Sequence, residues 1–342
     1  MSRPKIAITM GDPAGVGPEI CLDLLRSTRV SDHCVPIVFG DADILTRCAN
    51  ETGKPGPLHV IAPAELNTTH SPSILSVGGI RVDQFTPGTI SSATGEATYR
   101  YLESAITACR EGAVNAVTTA PANKSSLREA GITQPGQTEI FAEHTATENF
   151  CMMLTSDILT CSFVTVHVGY GEVPLLLTTE RILTVIELTH NAMKSLHGRE
   201  PRLAICGLNP HSGEGGLFGG REEEGIILPA IDAARSLQIN IEGPLPPDTA
   251  FLEPRRGETD AFVCMYHDQG HIPVKALAFD RAVNCTLGLP IVRTSVDHGT
   301  ALDIAWQGKA SAKSLEEAVI LASLSLIHIS EPTRQAEISY AV

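Results

Sequence analysis

Three histidines stand in the same relation to the chain before them, because each follows a short apolar run that is typical of a buried strand. These runs end at His167, His211 and His267. Ligands collect at the carboxyl ends of strands in parallel sheets, so we expect the three imidazoles to lie close together. Three imidazoles on one divalent cation leave coordination positions for substrate oxygens and water. The sequence therefore predicts a catalytic metal centre, although any one of these histidines taken alone would be interpreted as structural.

The segment after His211 is rich in glycine from 212 to 221 and is able to close over a small ligand. The three glutamates that follow, 222–224, are interpreted as a solvated helix start, which the helix dipole favours. Asp248 lies in a proline-rich turn and either faces a site or caps a helix. His271 follows His267 at helical spacing, and it is either a support for that ligand or a surface residue.

The first glycine-rich loop, 11–19, follows an apolar run and leads into a helix with Pro18 in its first turn. Such a turn brings the backbone close to a ligand, and a tight turn without a ligand is the alternative. Its spacing is not that of the Gly-x-Gly-x-x-Gly dinucleotide fingerprint. A conventional nucleotide-binding loop is therefore not predicted here.

Two cations and an amide follow the last of the three histidines, at Lys275, Arg293 and Asn284. Surface exposure is the ordinary fate of lysine and arginine. In an acidic chain, cations close to a predicted metal segment are also reasonable partners for a phosphate and a carboxylate. We therefore expect these side chains to bind the anionic groups of a small substrate.

The elements that must position these residues alternate between strand and helix. Strands are predicted at 6–10, 35–39, 58–62, 116–119, 159–168, 203–208, 261–266 and 282–286, and helices at 18–27, 93–111, 179–196, 222–237 and 314–321. The strands are too apolar to have a face in water. This pattern favours mostly parallel α/β sheets covered by helices on both faces.

Composition narrows the class of protein. The chain has 342 residues, of which 43% are hydrophobic and 19% charged, and a formal net charge of −14, so it can bury a large core in about two domains. General binding to nucleic acid or to an anionic membrane is not expected of so acidic a chain. Nine cysteines without a Cys-x-x-Cys pair, and a start that lacks a signal peptide, favour a cytoplasmic protein.

The last residues, 324–342, resemble the translation of an adaptor used to prepare sequencing libraries. We expect this segment to be an assembly artefact, and a genuine terminal helix and tail is the alternative. His328 is therefore left out of the site arguments.

The segment 295–310 is similar to the loop with which isopropylmalate and isocitrate dehydrogenases hold the adenosine end of NAD(P), and the loop at Gly11 and Asp12 is similar to their first loop. This resemblance implies NAD or NADP as cofactor. The implied nucleotide contacts are Gly11, Asp12, Asp297, His298, Gly299, Thr300 and Ala301.

Residues 3–323 resemble the 4-hydroxythreonine-4-phosphate dehydrogenase (PdxA) family throughout, with specific motifs at 11–19, 119–124, 136–139, 208–216, 243–249, 266–270 and 287–300. The resemblance implies a two-domain α/β/α fold like that of isocitrate and isopropylmalate dehydrogenases, and a homodimer with the active site at its interface. It implies zinc, magnesium or cobalt on His167, His211 and His267. It also implies substrate contacts at Thr138, Lys275, Asn284 and Arg293.

The implied activity is the oxidation and decarboxylation of 4-phosphooxy-L-threonine to 3-amino-2-oxopropyl phosphate. The general base is not assigned, and Lys124 and Asp248 are the candidates. The family commonly has histidine where this chain has Gln137, which cannot exchange protons but can hydrogen-bond a substrate oxygen. This departure leaves open a second substrate, 4-phospho-D-threonate or 4-phospho-D-erythronate.

Two remoter functions remain as alternatives, a phosphate acyltransferase and a non-catalytic protein that binds a phosphorylated metabolite. For the domains, we expect 1–125 with 281–323 to form the first and 126–280 to form the second.

Overall fold

The computed structural model describes residues 3–56, 59–279 and 281–329. Its strands are β1 (Lys5–Thr9), β2 (Val35–Gly40), β3 (Val60–Ile61), β4 (Ser73–Ser76), β5 (Ala116–Thr119), β6 (Cys151–Thr155), β7 (Thr160–Phe163), β8 (Leu203–Cys206), β9 (Ile241–Leu245), β10 (Ala261–Cys264), β11 (Val283–Leu287) and β12 (Val292–Ser295).

The helices alternate with these strands. They are α1 (Gly17–Leu24), α2 (Thr28–His33), α3 (Ala42–Thr52), α4 (Ser92–Arg110), α5 (Lys124–Glu129), α6 (Gln137–His144), α7 (Val173–Leu176), α8 (Thr179–His197), α9 (Leu228–Ser236), α10 (Pro247–Ala250), α11 (Glu253–Glu258), α12 (His267–Ala278) and α13 (Lys313–Ile329). A π-helical turn, Glu223–Ile227, precedes α9, and short 3-10 turns lie at Pro63–Glu65, Tyr170–Glu172 and Pro210–Gly216.

The chain divides into two compact units, one of residues Met1–Thr147 with Leu289–Val342 and one of Glu148–Gly288. The first unit is built from both ends of the chain. It extends past residue 125, where the sequence placed its boundary, because Ile140 and Phe141 of α6 pack in one core cluster with Ile37 and Phe39 of β2.

The first unit contains an all-parallel sheet in the order β3-β4-β2-β1-β5-β12. Successive residues of β1 face opposite sides, so Ile6 and Ile8 belong to one buried cluster and Ala7 belongs to another. The first cluster includes α1 and α13, and the second includes α4 and α6. Helices therefore cover both faces of this sheet, as predicted.

The second unit contains a sheet in the order β11-β6-β7-β10-β8-β9. Strands β7, β10, β8 and β9 are parallel to one another, whereas β11 with β6 and β6 with β7 are antiparallel pairs. The predicted class, α/β with mostly parallel sheets, is confirmed. The antiparallel pairs were not predicted.

Several elements differ from the sequence expectations. Strands β4, β9 and β12 were not predicted, because they are short or carry polar residues, glycine or proline. Strand β6 and helix α3 were also not predicted. The helix predicted at 222–237 is instead a π turn followed by α9.

Helix α13 runs beyond the predicted residue 321 to Ile329. The segment interpreted as an adaptor translation is 324–342, and its residues 330–342 lie outside the described residues. All nine cysteines are buried and free. In the described part of the chain, no helix combines the length and the apolar character needed to cross a membrane.

Candidate active site

Two of the predicted metal ligands, His167 and His267, lie together in the second unit. His167 follows β7 after a short loop, and His267 opens α12 directly after β10. Because β7 and β10 are parallel neighbours, the ends of both strands meet at the same edge of the sheet. The two ring centroids are 6.0 Å apart. Both rings line a cavity of about 420 Å³.

Asp268 orients the ring of His267. The Nδ1 atom of His267 lies 2.6 Å from Oδ1 of Asp268, and the hydroxyl of Tyr170 donates a hydrogen bond to the other oxygen of that carboxylate. The hydrogen bonds from Tyr170 and His267 hold the pKa of Asp268 below its usual range. With Nδ1 bonded to a carboxylate, Nε2 is the ring nitrogen of His267 left to bind a cation.

His271 lies beneath this ring. Its imidazole stacks on that of His267 with a centroid distance of 3.6 Å, and its Nδ1 lies 2.9 Å from the carbonyl oxygen of His267. Burial, and then the neighbouring His267, lower the pKa of His271 to about 4. The side chain is buried, so of the two interpretations left open the surface role is wrong and the supporting role fits.

The third predicted ligand, His211, lies after β8 in the 3-10 segment Pro210–Gly216. It is exposed, and its ring centroid lies 6.4 Å from that of Phe218. Within the described ranges, no three or more His, Cys, Asp or Glu side chains are grouped so as to hold a metal ion. The structure therefore brings together His167 and His267, and the full set of three ligands stays a prediction.

The glutamates after the glycine-rich loop differ from their interpretation as a solvated helix start. Glu223 is only 2% exposed, and its carboxylate accepts hydrogen bonds from the backbone and the side chain of Asn209. The interpretation is wrong for this residue, because the loop folds back over it.

Three more predicted residues of the second unit lie on separate elements. Lys275 is half-buried on α12, at helical spacing from His271. The side-chain oxygen of Asn284, on β11, is buried and has no hydrogen-bond partner among the described residues. Asp248 is exposed in the first turn of α10, where Pro246 occupies the capping position. The capping role left open for Asp248 is therefore wrong.

In the first unit, the guanidinium of Arg293 is buried and hydrogen-bonded to two threonine hydroxyls. The side chain of Arg293 comes from β12 and is 4% exposed. The guanidinium donates hydrogen bonds to the hydroxyl of Thr138 (3.2 Å) and to that of Thr119 (3.1 Å), and it lies 5.3 Å from the ring centroid of Phe141. Each hydroxyl that accepts from arginine still has a proton to donate, so both are able to bind the same anion as the guanidinium.

Gln137 begins α6, next to Thr138. Its Nε2 donates a hydrogen bond to the carbonyl oxygen of Ala120 at 3.1 Å, while its Oε1 is buried without a partner among the described residues. A buried amide oxygen is costly to leave unpaired. Gln137 therefore offers one acceptor to a ligand that carries an N–H or O–H group.

Lys124 is exposed in the first turn of α5, and its Cε lies 3.7 Å from the position that a β-carbon on Gly136 would take. Lys124 thus lies beside the start of α6. The structure places it in the same unit as Gln137 and Arg293.

The two loops that resemble nucleotide-binding segments pack directly against each other. The backbone N–H of Val16 donates to the carbonyl oxygen of Thr300 at 3.0 Å, and a β-carbon on Gly15 would lie 2.9 Å from Cβ of Thr300. Gly11 has a φ of 74° and could not carry a side chain, because a β-carbon would lie 2.3 Å from the carbonyl oxygen of Pro121. Close packing of this kind requires glycine at both positions.

Within these loops, Asp12 is fully buried and accepts a hydrogen bond from the backbone N–H of Ala14 at 2.9 Å. Burial raises the pKa of Asp12. The carboxylate of Asp12 therefore holds the backbone of the first glycine-rich loop at Ala14. His298 and Gly299 are exposed, Asp297 and Ala301 are half-buried, and Ala301 has a φ of 43°.

Comparison with known proteins places the chain in a family. Residues 32–322 match the family described as pyridoxal phosphate biosynthetic protein PdxA. The chain belongs to the PdxA family. It is 44% identical to the 4-hydroxythreonine-4-phosphate dehydrogenase of Geobacter metallireducens, over 94% of this chain and 95% of that protein.

Two other members of the PdxA family are named as dehydrogenases of different substrates. The chain is 41% identical to the D-threonate 4-phosphate dehydrogenase of Cupriavidus necator, over 92% of this chain and 95% of the relative. The crystal structure of the 4-hydroxythreonine-4-phosphate dehydrogenase of Klebsiella pneumoniae superposes with a TM-score of 0.84 at 38% identity, over 94% and 99% of the two chains. These relatives are dehydrogenases, and this PdxA-family chain is an oxidoreductase.

Three residues of this PdxA-family site were not predicted from the sequence. Asp268 directly follows His267 in the motif Tyr-His-Asp, and its acidic character beside a predicted ligand was a usable signal. Thr119 opens a family motif and ends β5, so its position was also a signal. Tyr170 had none, because only the folded loop brings it to Asp268.

Proposed function

We propose that this chain is a divalent-metal-dependent, NAD(P)-dependent enzyme that oxidises and decarboxylates 4-phosphooxy-L-threonine to 3-amino-2-oxopropyl phosphate. The observation that carries the proposal is the buried guanidinium of Arg293, which donates to Thr119 and Thr138 in a chain whose relatives are dehydrogenases of phosphorylated acids. A buried, braced arginine is the residue type that binds phosphate with defined geometry.

Arg293 binds the phosphate of the substrate, and Thr119 and Thr138 donate their hydroxyl protons to the same group. The cost of ordering these side chains is already met within the fold, because each hydroxyl is held by the guanidinium. Fixing the phosphate fixes the position of the carbinol carbon several bonds away.

Gln137 binds an ammonium or hydroxyl group between the phosphate and the carboxylate of the substrate. Its Oε1 accepts a hydrogen bond from an ammonium or hydroxyl group, while its Nε2 stays on the carbonyl of Ala120. The amide cannot take a proton, so the general base lies elsewhere. Lys124 and Asp248 are the candidates for the general base, and Lys124 lies beside the start of α6, where Gln137 and Thr138 are.

His167, His211 and His267 would hold the divalent cation. The donor chemistry fits: imidazole suits zinc or cobalt better than magnesium, and the contact of His267 with Asp268 is a common support for a metal-binding histidine. When bound, the cation would make the substrate hydroxyl easier to deprotonate and withdraw charge during loss of CO₂. In the proposed homodimer, whose active site lies at the subunit interface, His211 would complete the set of three ligands.

The loops at Gly11 and Asp12 and at 297–301 would hold the nicotinamide cofactor. A β-carbon on Gly299 would meet no atom within 4 Å, so this backbone is open to a ligand, and His298 and Ala301 flank it. Bound NAD⁺ or NADP⁺ supplies the hydride acceptor. Lys275 and Asn284 are proposed to bind the carboxylate of the substrate, since the ammonium group of Lys275 and the N–H₂ group of Asn284 both donate hydrogen bonds.

A second candidate substrate is D-threonate 4-phosphate. Gln137 favours it, because this residue replaces the histidine common in the family and accepts a hydroxyl group as readily as an ammonium group.

The test is a comparison of both compounds, and of 4-phospho-D-erythronate, with NAD⁺ and with NADP⁺ under the same conditions. We expect the highest kcat/KM with 4-phosphooxy-L-threonine. A preference for D-threonate 4-phosphate would move the assignment to the second candidate, and NADH or NADPH production from none of the three would overturn the proposal.

A further inference from the structure

The loop that carries His211 has a backbone conformation that L-residues rarely adopt over several positions. His211, Ser212 and Glu214 have φ values of 53°, 51° and 42°, and the glycines between and after them are also left-handed. Only glycine adopts this region without strain, and runs of such residues are unusual. A conformation of this kind persists only where the surrounding structure holds it.

Glu223 supplies that support from beneath the loop. One carboxylate oxygen, Oε1, accepts a hydrogen bond from the backbone N–H of Asn209 at 2.8 Å, and the other, Oε2, accepts one from Nδ2 of Asn209 at 3.0 Å. The side chain is 2% exposed. Burial of a carboxyl group is costly unless hydrogen bonds replace the water it has lost.

The loop closes tightly over this carboxylate. A β-carbon on Gly213 would lie 2.7 Å from Oε2 of Glu223, so the left-handed turn can pass over the carboxylate only with glycine at this point. Glu222 adds a second contact, because its Oε2 accepts from Nδ2 of Asn209 at 2.9 Å and from the backbone N–H of Gly220 at 2.8 Å. Both ends of the loop are therefore held by neighbouring glutamates.

The backbone of Glu223 is itself irregular, since it begins the π-helical turn Glu223–Ile227. Such turns are rare but are frequent at functional sites. On the other side of the loop, the hydroxyl of Ser212 donates a hydrogen bond to the carbonyl oxygen of Pro244 at 3.1 Å. The turn that carries His211 is thus fixed between Glu223 and the segment that holds Pro244.

We propose that Glu223 is a positioning residue that, through Asn209, holds the left-handed turn 211–216 so that His211 is preorganised to bind the divalent cation. This inference rests on the proposed function, in which His211 is a metal ligand. Glu223 itself is too deeply buried to touch cation or substrate, and it acts through the loop. Glutamine cannot replace it, because one of its two terminal atoms donates hydrogen bonds and both must accept them here.

The experiment compares Glu223→Gln, Asn209→Ala and the double variant with the wild-type full-length chain. The matched control is Glu214→Gln, which removes the same charge from an exposed position of the same turn. Two readouts are made on metal-free protein well below its unfolding temperature. The first is affinity for Co²⁺, followed by its visible absorption spectrum, and the second is the rate of tryptic cleavage at the exposed Arg221.

We expect Glu223→Gln to weaken Co²⁺ affinity about 10- to 100-fold, which is the usual effect of losing a residue that supports a metal ligand. Cleavage at Arg221 should accelerate, and the control should match the wild type in both readouts. Because Glu223 and Asn209 act as one unit, the double variant should be no weaker in Co²⁺ affinity than the weaker single variant.

Unchanged Co²⁺ affinity in Glu223→Gln, with wild-type protein that does bind Co²⁺, would overturn the inference and leave the proposed function standing, even if the variant were less stable. Additive losses in the double variant would also contradict it. Wild-type protein that binds no Co²⁺ would instead contradict the proposed function, and the support of the loop by Glu223 would then be decided by the cleavage rates alone.

Discussion

The imidazole Nδ1 of His267 lies 2.6 Å from Oδ1 of the next residue in the chain, Asp268. This contact joins two side chains at the start of one helix, and the hydroxyl of Tyr170 completes it from the loop after β7. A histidine oriented in this way presents its other nitrogen in a fixed direction, which is how proteins prepare an imidazole for a metal ion.

Replacing Asp268 with asparagine should weaken divalent-cation binding about 10-fold, because the neutral amide is a poorer partner for a metal-bound imidazole. Co²⁺ titration of the purified variant measures the effect. The control is Asp157→Asn, which removes the same charge from an exposed ion pair with Arg281. Equal losses in both variants would show that general charge, and not the orientation of His267, is responsible.

Arg293→Lys should raise KM for the phosphorylated substrate about 100-fold, equivalent to about 2.8 kcal/mol of binding free energy. Lysine keeps the charge but cannot contact Thr119, Thr138 and a phosphate together. Steady-state kinetics measure KM, and Arg281→Lys, in an exposed ion pair, is the control. A KM that stays within twofold of wild type would remove Arg293 from the phosphate site.

Gln137→Met should lower kcat/KM about 10-fold, since the nearly isosteric side chain removes the acceptor that the structure leaves unpaired. Steady-state kinetics with both candidate substrates measure the effect. We expect kcat/KM to fall for a substrate that donates a hydrogen bond to Oε1 of Gln137. Gln134→Met, on the preceding loop, is the control. If neither substrate is affected, Gln137 does not contact the substrate.

The carboxylate of Asp260 is expected to stabilise the fold. Burial raises the pKa of Asp260, but hydrogen bonds from Arg199 and from the backbone and side chain of Arg202 outweigh this effect and hold the pKa well below its usual range. Because the folded pKa lies below the unfolded one, the carboxylate stabilises the fold fully above the unfolded pKa of about 4. That contribution is lost as the pH falls from there through the folded pKa.

Asp260→Asn should therefore lower the free energy of unfolding by about 2 kcal/mol at neutral pH, with a deficit that shrinks below about pH 4. Urea unfolding at several pH values measures this. Asp232→Asn, in an exposed pair with Arg235, should have little effect. If the loss of unfolding free energy in Asp260→Asn did not shrink in acid, it would be due to altered packing or hydrogen-bond geometry and not to the lost charge.

The sequence predicted the parts of the site that follow from strand order. His167 and His267 meet because each follows a buried strand and the two strands are parallel neighbours, which the apolar runs allowed us to expect. Arg293 was predicted to bind an anion, and this stays a prediction. The strand that carries it was not predicted, because β12 has only four residues and the two at its centre are polar or charged.

The remaining features depend on tertiary contacts that no local pattern encodes. The three glutamates 222–224 have the composition of a solvated helix start, yet Glu223 is buried because a glycine-rich loop folds over it. Likewise, the contact of Tyr170 with Asp268 joins residues from two elements. The local sequence indicates secondary-structure propensity and hydrophobic periodicity. These features arise instead from contacts between segments that are far apart in the chain.

The proposed enzyme couples metal-dependent oxidation to loss of CO₂. The most direct measurement follows NADH or NADPH and CO₂ together during turnover of 4-phosphooxy-L-threonine, before and after a chelator and after added Zn²⁺ or Co²⁺. We expect equal amounts of the two products, loss of both with chelator and return of both with metal. Full activity in chelator, or reduced nicotinamide without CO₂, would contradict it.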